Sequence, residues 1–501
     1  MLRPARIRPG WVTPIAAAGV GLLTLLVHGL NVVAAPDVLG DEGLYFLVAR
    51  NLASGLGLKD DVGTFFWHPP VYPLVASVWI ELTGSAGIDF TTAMLDSRAL
   101  NVIFSACTAA LLVLLGRRLL DLRAGLLMGF LFMGDLFVQR INRRAMLETP
   151  VVLLMVLGLY LFYRYRERGG RGAIVGAGVA FGLAVLTKEV GVLGLFALGA
   201  WVVVFQRGAT RALLGVTGIV AAMYAVYAAW ALATDPTRYL AFQIGALSRI
   251  FALGRGVVPA AARLDSGANP GIIERLGPAF LSYGPTYLLL GFGALATVIL
   301  AVRYRERPAA QLLLCWSAVS YATIGFGEVA GFGDQFFYYV LVPAIAVIAY
   351  LIVAGWPAVD RPAIRIRRIG LRLGAVGLVL VLLGAYDATV WVARYATKAD
   401  DGYARIERYV LANVPPGSTI VAGADVSNFL FRPEYKIEFF RDQASVLDAK
   451  VQYFILSTKE VQQRYNRITP AFYDWVRAHT TPLLEVQGDT YLTLGLYRWV
   501  G

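Results

Sequence analysis

The sequence predicts an all-α polytopic membrane protein that carries a small α/β domain at its C-terminal end. Three observations lead there. Apolar residues make up 58% of the 501 positions and charged residues only 16%, far from the balance of a water-soluble domain. Apolar runs approaching the roughly 20 residues needed to cross a bilayer recur along most of the chain. From about Thr397 that texture stops, and charges and turn residues become frequent.

The runs fall near 12–35, 94–116, 124–140, 149–163, 172–187, 189–206, 212–232, 278–302, 310–327, 336–356 and 371–392, about eleven crossings. The first ends in Val33-Ala34-Ala35, which has the look of a signal-peptide cleavage site. It is long for a signal peptide, and an uncleaved first helix is expected. With a cytoplasmic N-terminus, Arg3, Arg6, Arg8, Arg117, Arg118, Arg164, Arg166, Arg168, Arg303, Arg305 and Arg307 all fall on one side. That is the positive-inside pattern. The net charge of +12 is thus topological and argues against a nucleic-acid partner. The two cysteines, Cys107 and Cys315, lie inside apolar runs, so no disulfide framework or thiolate metal site is expected.

Residues 1–396 read as the membrane domain, with a long outer loop at 36–93, and 397–501 as the extracytoplasmic domain. In the latter, strand-like runs (Thr419–Ala422, Tyr453–Ser457, Tyr491–Tyr497) alternate with helical patterns at Tyr403–Asn413 and Pro470–His479. Pro415-Pro416-Gly417 and Gln487-Gly488-Asp489 supply turns.

The outer face holds the candidate chemistry. Asp41 and Glu42 open a segment whose Tyr45, Val48, Ala49 and Leu52 share one helical face, predicting an interfacial helix with that stripe in lipid. Capping of that helix is the competing role for Asp41. His68 is held extended by Pro69-Pro70. It suits a phosphate contact, against the plainer role of packing with Phe66 and Trp67. Arg140, Arg143 and Arg144 violate the positive-inside trend, and Arg144 and Glu148 share a face if helical. Thr187-Lys188-Glu189 places charges beside hydrocarbon, where they need a partner or a ligand. Tyr338 and Tyr339 begin the tenth run, where interfacial tyrosines commonly anchor helices.

The combination resembles the GT-C type integral membrane glycosyltransferases that use polyprenyl-phosphate-linked sugars, notably protein O-mannosyltransferases and the lipid A aminoarabinose transferase. Asp41-Glu42, His68-Pro69-Pro70-Val71-Tyr72-Pro73, Arg144-Ala145-Met146-Leu147-Glu148 and Leu186-Thr187-Lys188 carry it, over roughly the first 200 residues. The resemblance implies an inverting transfer to an acceptor hydroxyl of a protein, glycan or lipid. Asp41 falls on the family's catalytic base, with Glu42 less securely placed, and Glu148 on an acid near the acceptor. A family lysine that contacts phosphate falls on His68, so Arg143, Arg144 and Lys188 would carry more of that charge, with Tyr338 beside them. Transfer from a lipid phosphate needs fixed positive charge but no general acid, because phosphate leaves as a stable anion.

No cofactor is expected, nor a metal at Asp41, Glu42, Asp60 or Asp61. The expected location is the cell membrane, with the site on the outer face. A secondary transporter or lipid flippase is the alternative, but its ionisable groups belong mid-span. A noncatalytic scaffold leaves the charge cluster unexplained. Finally, Thr234–Gly277 reads as an interfacial basic segment covering the site.

Overall fold

The computed structural model describes residues 9–250, 276–330, 334–355, 379, 382–439, 442–463 and 468–501. The chain runs α1 (Pro9–Gly29), α2 (Gly40–Ala53), α3 (Val71–Thr83), α4 (Phe90–Leu119), α5 (Leu122–Gly134), α6 (Leu136–Asn142) and α7 (Glu148–Arg168). It continues with α8 (Arg171–Thr187), α9 (Val192–Phe205), α10 (Thr210–Thr234) and α11 (Pro236–Ile250), followed by helices Leu276–Arg303, Pro308–Ala330 and Phe337–Ala354.

Among the described residues six helices are long and apolar enough to cross a membrane. The broken pair α5–α6, bent by 69°, makes a seventh. α8 and Glu189–Phe205 are apolar but shorter. By length alone the count is therefore below the expected eleven, and the first part of the run at 371–392 lies outside the described residues. The first apolar run also stops early as a helix, because Asn31 turns into the left-handed region at φ 57°.

Leu22, Leu26, Leu214, Val226, Val298 and Val302 are exposed on the outer helices, as expected of side chains facing lipid. Phe337–Ala354 is the innermost helix, with Tyr338 to Ala349 buried. α4 and α5 meet at glycines: a Cβ on Gly116 would stand 2.5 Å from Gly125 Cα. Such close backbone approach gives dispersion contacts where lipid supplies no hydrophobic drive.

The C-terminal sheet has the order β2 (Lys436–Glu438), β1 (Thr419–Ala422), β3 (Tyr453–Ser457), β5 (Leu492–Trp499), β4 (Thr480–Gly488). β1 is parallel to both β2 and β3, and β5 is antiparallel to β3 and β4. The strands β2 and β4 carry no alternating apolar signal; β2 is three residues and β4 begins Thr-Thr-Pro.

The stripe on α2 departs from expectation. Tyr45, Val48 and Ala49 are buried, and they share one core with Tyr72 and Ile80 of α3 and with Tyr403, Ile406, Ile420 and Leu494 of the C-terminal domain. Protein covers the α2 stripe, not lipid. The outer loop and the C-terminal domain are one packed body.

Candidate active site

Two adjacent carboxylates at the head of α2 have opposite surroundings. Glu42 is fully buried and fully engaged. Arg98 of α4 grips it with two hydrogen bonds, Nε to Oε2 at 2.8 Å and Nη2 to Oε1 at 2.9 Å. The backbone N–H groups of Ala145 and Leu39 donate to it at 3.1 and 3.2 Å, and Arg144 Nε lies 3.6 Å away. Every lone pair that a nucleophile or base would use is occupied.

Asp41 is only half-buried and makes no hydrogen bond or ion pair among the described residues. Burial pushes its carboxyl up; Glu148 and Asp425 push the same way, and Lys188 and His68 oppose them. The four groups whose charge Asp41 feels come from four separate parts of the chain. They surround one unpaired carboxylate.

Glu148 opens α7 and is fully buried. Its Oε1 lies 2.5 Å from Lys188 Nζ, while its Oε2 is buried with no partner. Lys188 follows α8 in extended conformation, and its Nζ lies 5.6 Å from the centre of the Phe336 ring. The tight turn that presents Lys188 depends on Gly191, since a Cβ there would stand 2.5 Å from the Ala184 carbonyl carbon. His68 joins the group through Glu189, Nδ1 to Oε2 at 3.2 Å. Asp41, His68, Glu148 and Lys188 are thus brought together by the fold.

The remaining expected residues are placed otherwise. Arg143 is fully buried and turned away from this group. It donates to the carbonyls of Val27, His28 and Leu30 at the end of α1 and to that of Ala35, so it caps a helix C-terminus. A phosphate at Arg143 would have to displace all of these. Arg144 donates to the Asp37 carbonyl at 3.0 Å and does not pair with Glu148, because 143–147 is not helical. Tyr338 is committed to Asn142 Oδ1 at 2.7 Å, whereas the neighbouring Tyr339 hydroxyl is buried without a partner.

Four residues that sequence reading passed over hold this arrangement. Arg98 is one. Asn101, one turn further along α4, donates to the carbonyls of Arg144 and Met146 at 2.6 and 2.7 Å and so fixes the approach to Glu148. Asp37 and Asp400 are the others, both buried where the C-terminal domain meets the outer loop. Asp400 accepts from the Asp37 N–H and from Thr490, and Asp37 accepts from the Tyr403 N–H at 3.1 Å. Burial and the nearby Asp400 push Asp37 up to about 8. A charged residue inside an apolar helix, as Arg98 is, was the available signal.

α11 lies over the first outer loop. Arg238 donates to Asp60 Oδ2 at 2.9 Å and to the Thr64 carbonyl at 2.7 Å, Tyr239 meets Phe66 edge to face, and Phe242 packs at a tilt against Trp67. Asp60 is thereby paired, and Asp61 lies 3.4 Å from Arg432. The rest of the expected cover, 251–275, lies outside the described residues.

Residues 75–245 match the family model described as dolichyl-phosphate-mannose-protein mannosyltransferase. The fold is that of the GT-C type membrane glycosyltransferases. The chain is similar in fold to ArnT from Cupriavidus metallidurans bound to undecaprenyl phosphate, with TM-score 0.58, 14% identity and 99% of each chain covered. It is also similar to the oligosaccharyltransferase of Archaeoglobus fulgidus tethered with an acceptor peptide, with TM-score 0.59, 14% identity and coverage of 98% of this chain and 74% of that one. Another structure of the archaeal enzyme, in complex with an inhibitory peptide and a dolichol-phosphate, has TM-score 0.57, 14% identity and coverage of 98% and 74%. None of the curated protein sequences compared with this chain matches it.

Proposed function

We propose that the transferase moves a sugar from a polyprenyl-phosphate-linked donor to an acceptor hydroxyl at the outer face of the cell membrane, with inversion at the anomeric carbon. The observation that carries this reading is Asp41: an unpaired, half-buried carboxylate beside one lysine and one histidine.

In the reaction Asp41 takes the proton of the acceptor hydroxyl as that oxygen attacks the anomeric carbon. The carbon–phosphate oxygen bond breaks as the new bond forms, and the lipid phosphate departs as an anion. Attack opposite the leaving group inverts the centre. A raised carboxyl is a stronger base, as long as the medium keeps it ionised.

Lys188 and His68 supply positive charge to the phosphate, and Lys188 is held ready by Glu148. The free Oε2 of Glu148 and the free hydroxyl of Tyr339 are acceptor and donor groups for sugar or acceptor hydroxyls. Glu42 and Arg143 act on the site only by shaping its floor. Protein, glycan and lipid acceptors all remain compatible with this chemistry, as does any prenyl length.

The test is release of polyprenyl phosphate from a sugar-loaded donor by purified protein in detergent, with no ion gradient present. Turnover that depends on acceptor and is abolished in Asp41→Asn supports the reading. Donor consumption unaffected by Asp41→Asn removes Asp41 as base.

A further inference from the structure

His68 and Glu189 approach one another from segments 121 residues apart, with His68 Nδ1 3.2 Å from Glu189 Oε2. The two side chains are 22% and 41% exposed, so the pair lines an opening and is not sealed in the core. His68 Nε2 has no hydrogen-bond partner among the described residues, and the ring stands 6.0 Å from that of Tyr45. On the proposal that this site takes a lipid-linked phosphate, we infer that Glu189 is the positioning residue that sets the tautomer and charge of His68, so that the donor is bound by an imidazolium and its binding takes up a proton.

The two ring nitrogens of His68 have different surroundings. Glu189 accepts, so Nδ1 carries a hydrogen. In the neutral ring Nε2 then presents only a lone pair, which repels a phosphate oxygen. With a second proton on Nε2 the ring donates to phosphate while Nδ1–H still donates to Glu189. Carboxylate on one side and phosphate on the other both favour that form.

An ammonium group would bind phosphate at any ordinary pH, whereas imidazole changes charge within that range. The other charged or ionisable groups around the pair are Asp41 and Tyr45 on α2, Lys188 in the same turn as Glu189, and Glu148. Tyr224 and Tyr227 of α10 and Tyr339 of the helix Phe337–Ala354 also feel the Glu189 charge. Lys188 is already matched by Glu148 at 2.5 Å, which leaves Glu189 to His68.

The experiment measures binding of undecaprenyl phosphate in detergent to the full chain, from about pH 5.5 to about pH 8.5, the range over which imidazole titrates. Wild type, Glu189→Gln, His68→Lys and the double variant are compared. Gln keeps an acceptor oxygen for Nδ1–H but not the charge. The His68→Lys curve records the lipid phosphate's own ionisation, which is common to all four proteins.

Relative to that curve, wild-type binding weakens as pH rises. Glu189→Gln binds like wild type at the acid end and about three- to tenfold more weakly near neutral pH. In the His68→Lys background Glu189→Gln has no effect. An equal loss at every pH, or a loss that persists in the double variant, makes Glu189 a merely structural residue and overturns the inference, with the donor reading intact. Absence of lipid-phosphate binding by every variant at every pH overturns the donor reading itself, and the inference with it.

Discussion

The floor and the rim of the site are built from the same residue types to opposite ends. In the floor, Glu42 meets Arg98, Arg144 and two backbone N–H groups, and Arg143 meets the carbonyls at the end of α1. On the rim, Asp41 has no partner, and Glu148 and His68 each keep one polar atom free. One peptide bond separates the two regimes. Full satisfaction gives a rigid surface with no spare chemistry; partial satisfaction leaves groups that a substrate completes. Adjacent acids are therefore not interchangeable, and variants that swap the two environments are the way to test the contrast.

The largest effect is expected at Asp41. Asp41→Asn keeps shape and removes the base, so turnover falls about 10²–10⁴-fold with little change in thermal stability or donor binding. The readout is donor consumption beside a melting curve. A comparably folded Glu42→Gln with the same loss of turnover, and an active Asp41→Asn, would invert the assignment.

Next is the floor. Arg98→Ala leaves Glu42 buried with its main counter-charge gone, which costs about 3–5 kcal/mol. The expected result is loss of folded protein in detergent, in contrast to Asp41→Asn. If Arg98→Ala melts like wild type and only slows turnover, the floor is not structural.

This division explains what the sequence could and could not reveal. Asp41, His68, Glu148 and Lys188 stood out because charges at the edge of apolar runs are costly unless used. Arg143 and Glu42 stood out for the same reason but serve internal hydrogen bonding, and the composition of a run does not say which way a guanidinium turns. Arg144 and Glu148 do not share a helical face, because the turn at 143–147 lies between α6 and α7 and helical spacing does not apply there. The lipid-facing stripe on α2 was misread because period and polarity give an apolar face without naming what covers it. Here Tyr45 and Val48 pack against Tyr403 and Leu494, some 350 positions or more along the chain by numbering. The strands β1, β3 and β5 and the helix at Gly402–Asn413 were legible from pattern, while the three-residue β2 and the proline-bearing β4 depend on pairing.

A pH effect is expected where floor and C-terminal domain meet. Asp37 is raised from 3.8 to about 8 by burial and by Asp400, so the folded protein holds a proton that the unfolded chain releases near pH 4. Stability is then greatest below the unfolded value, declines as pH rises toward about 8, and is flat above it. The slope is at most about 1.4 kcal/mol per pH unit. Asp37→Asn should remove this slope in melting curves between about pH 6 and pH 8. An unchanged slope would show that Asp37 is ionised in the fold.

The smallest effect sharpens the comparison most, because it touches the rim from the side of the C-terminal domain. Gly43 lies two residues after Asp41, and a Cβ there would meet Phe429 at 2.7 Å. Three Phe429 atoms, including its own Cβ, lie within 3 Å of that position, so swinging the ring aside does not relieve the clash. Either α2 or the short helix Ser427–Phe431 has to shift. Overpacking of this kind costs about 1–3 kcal/mol. Gly43→Ala should lower the melting temperature modestly, yet reduce turnover out of proportion where the element that gives way is α2, which carries Asp41. Phe429→Gly removes the ring and the Cβ together and makes room, so the double variant should recover activity that Gly43→Ala alone loses. Recovery of stability without activity would mean that the position of α2 does not set the base, and that the C-terminal domain covers the rim without aligning it.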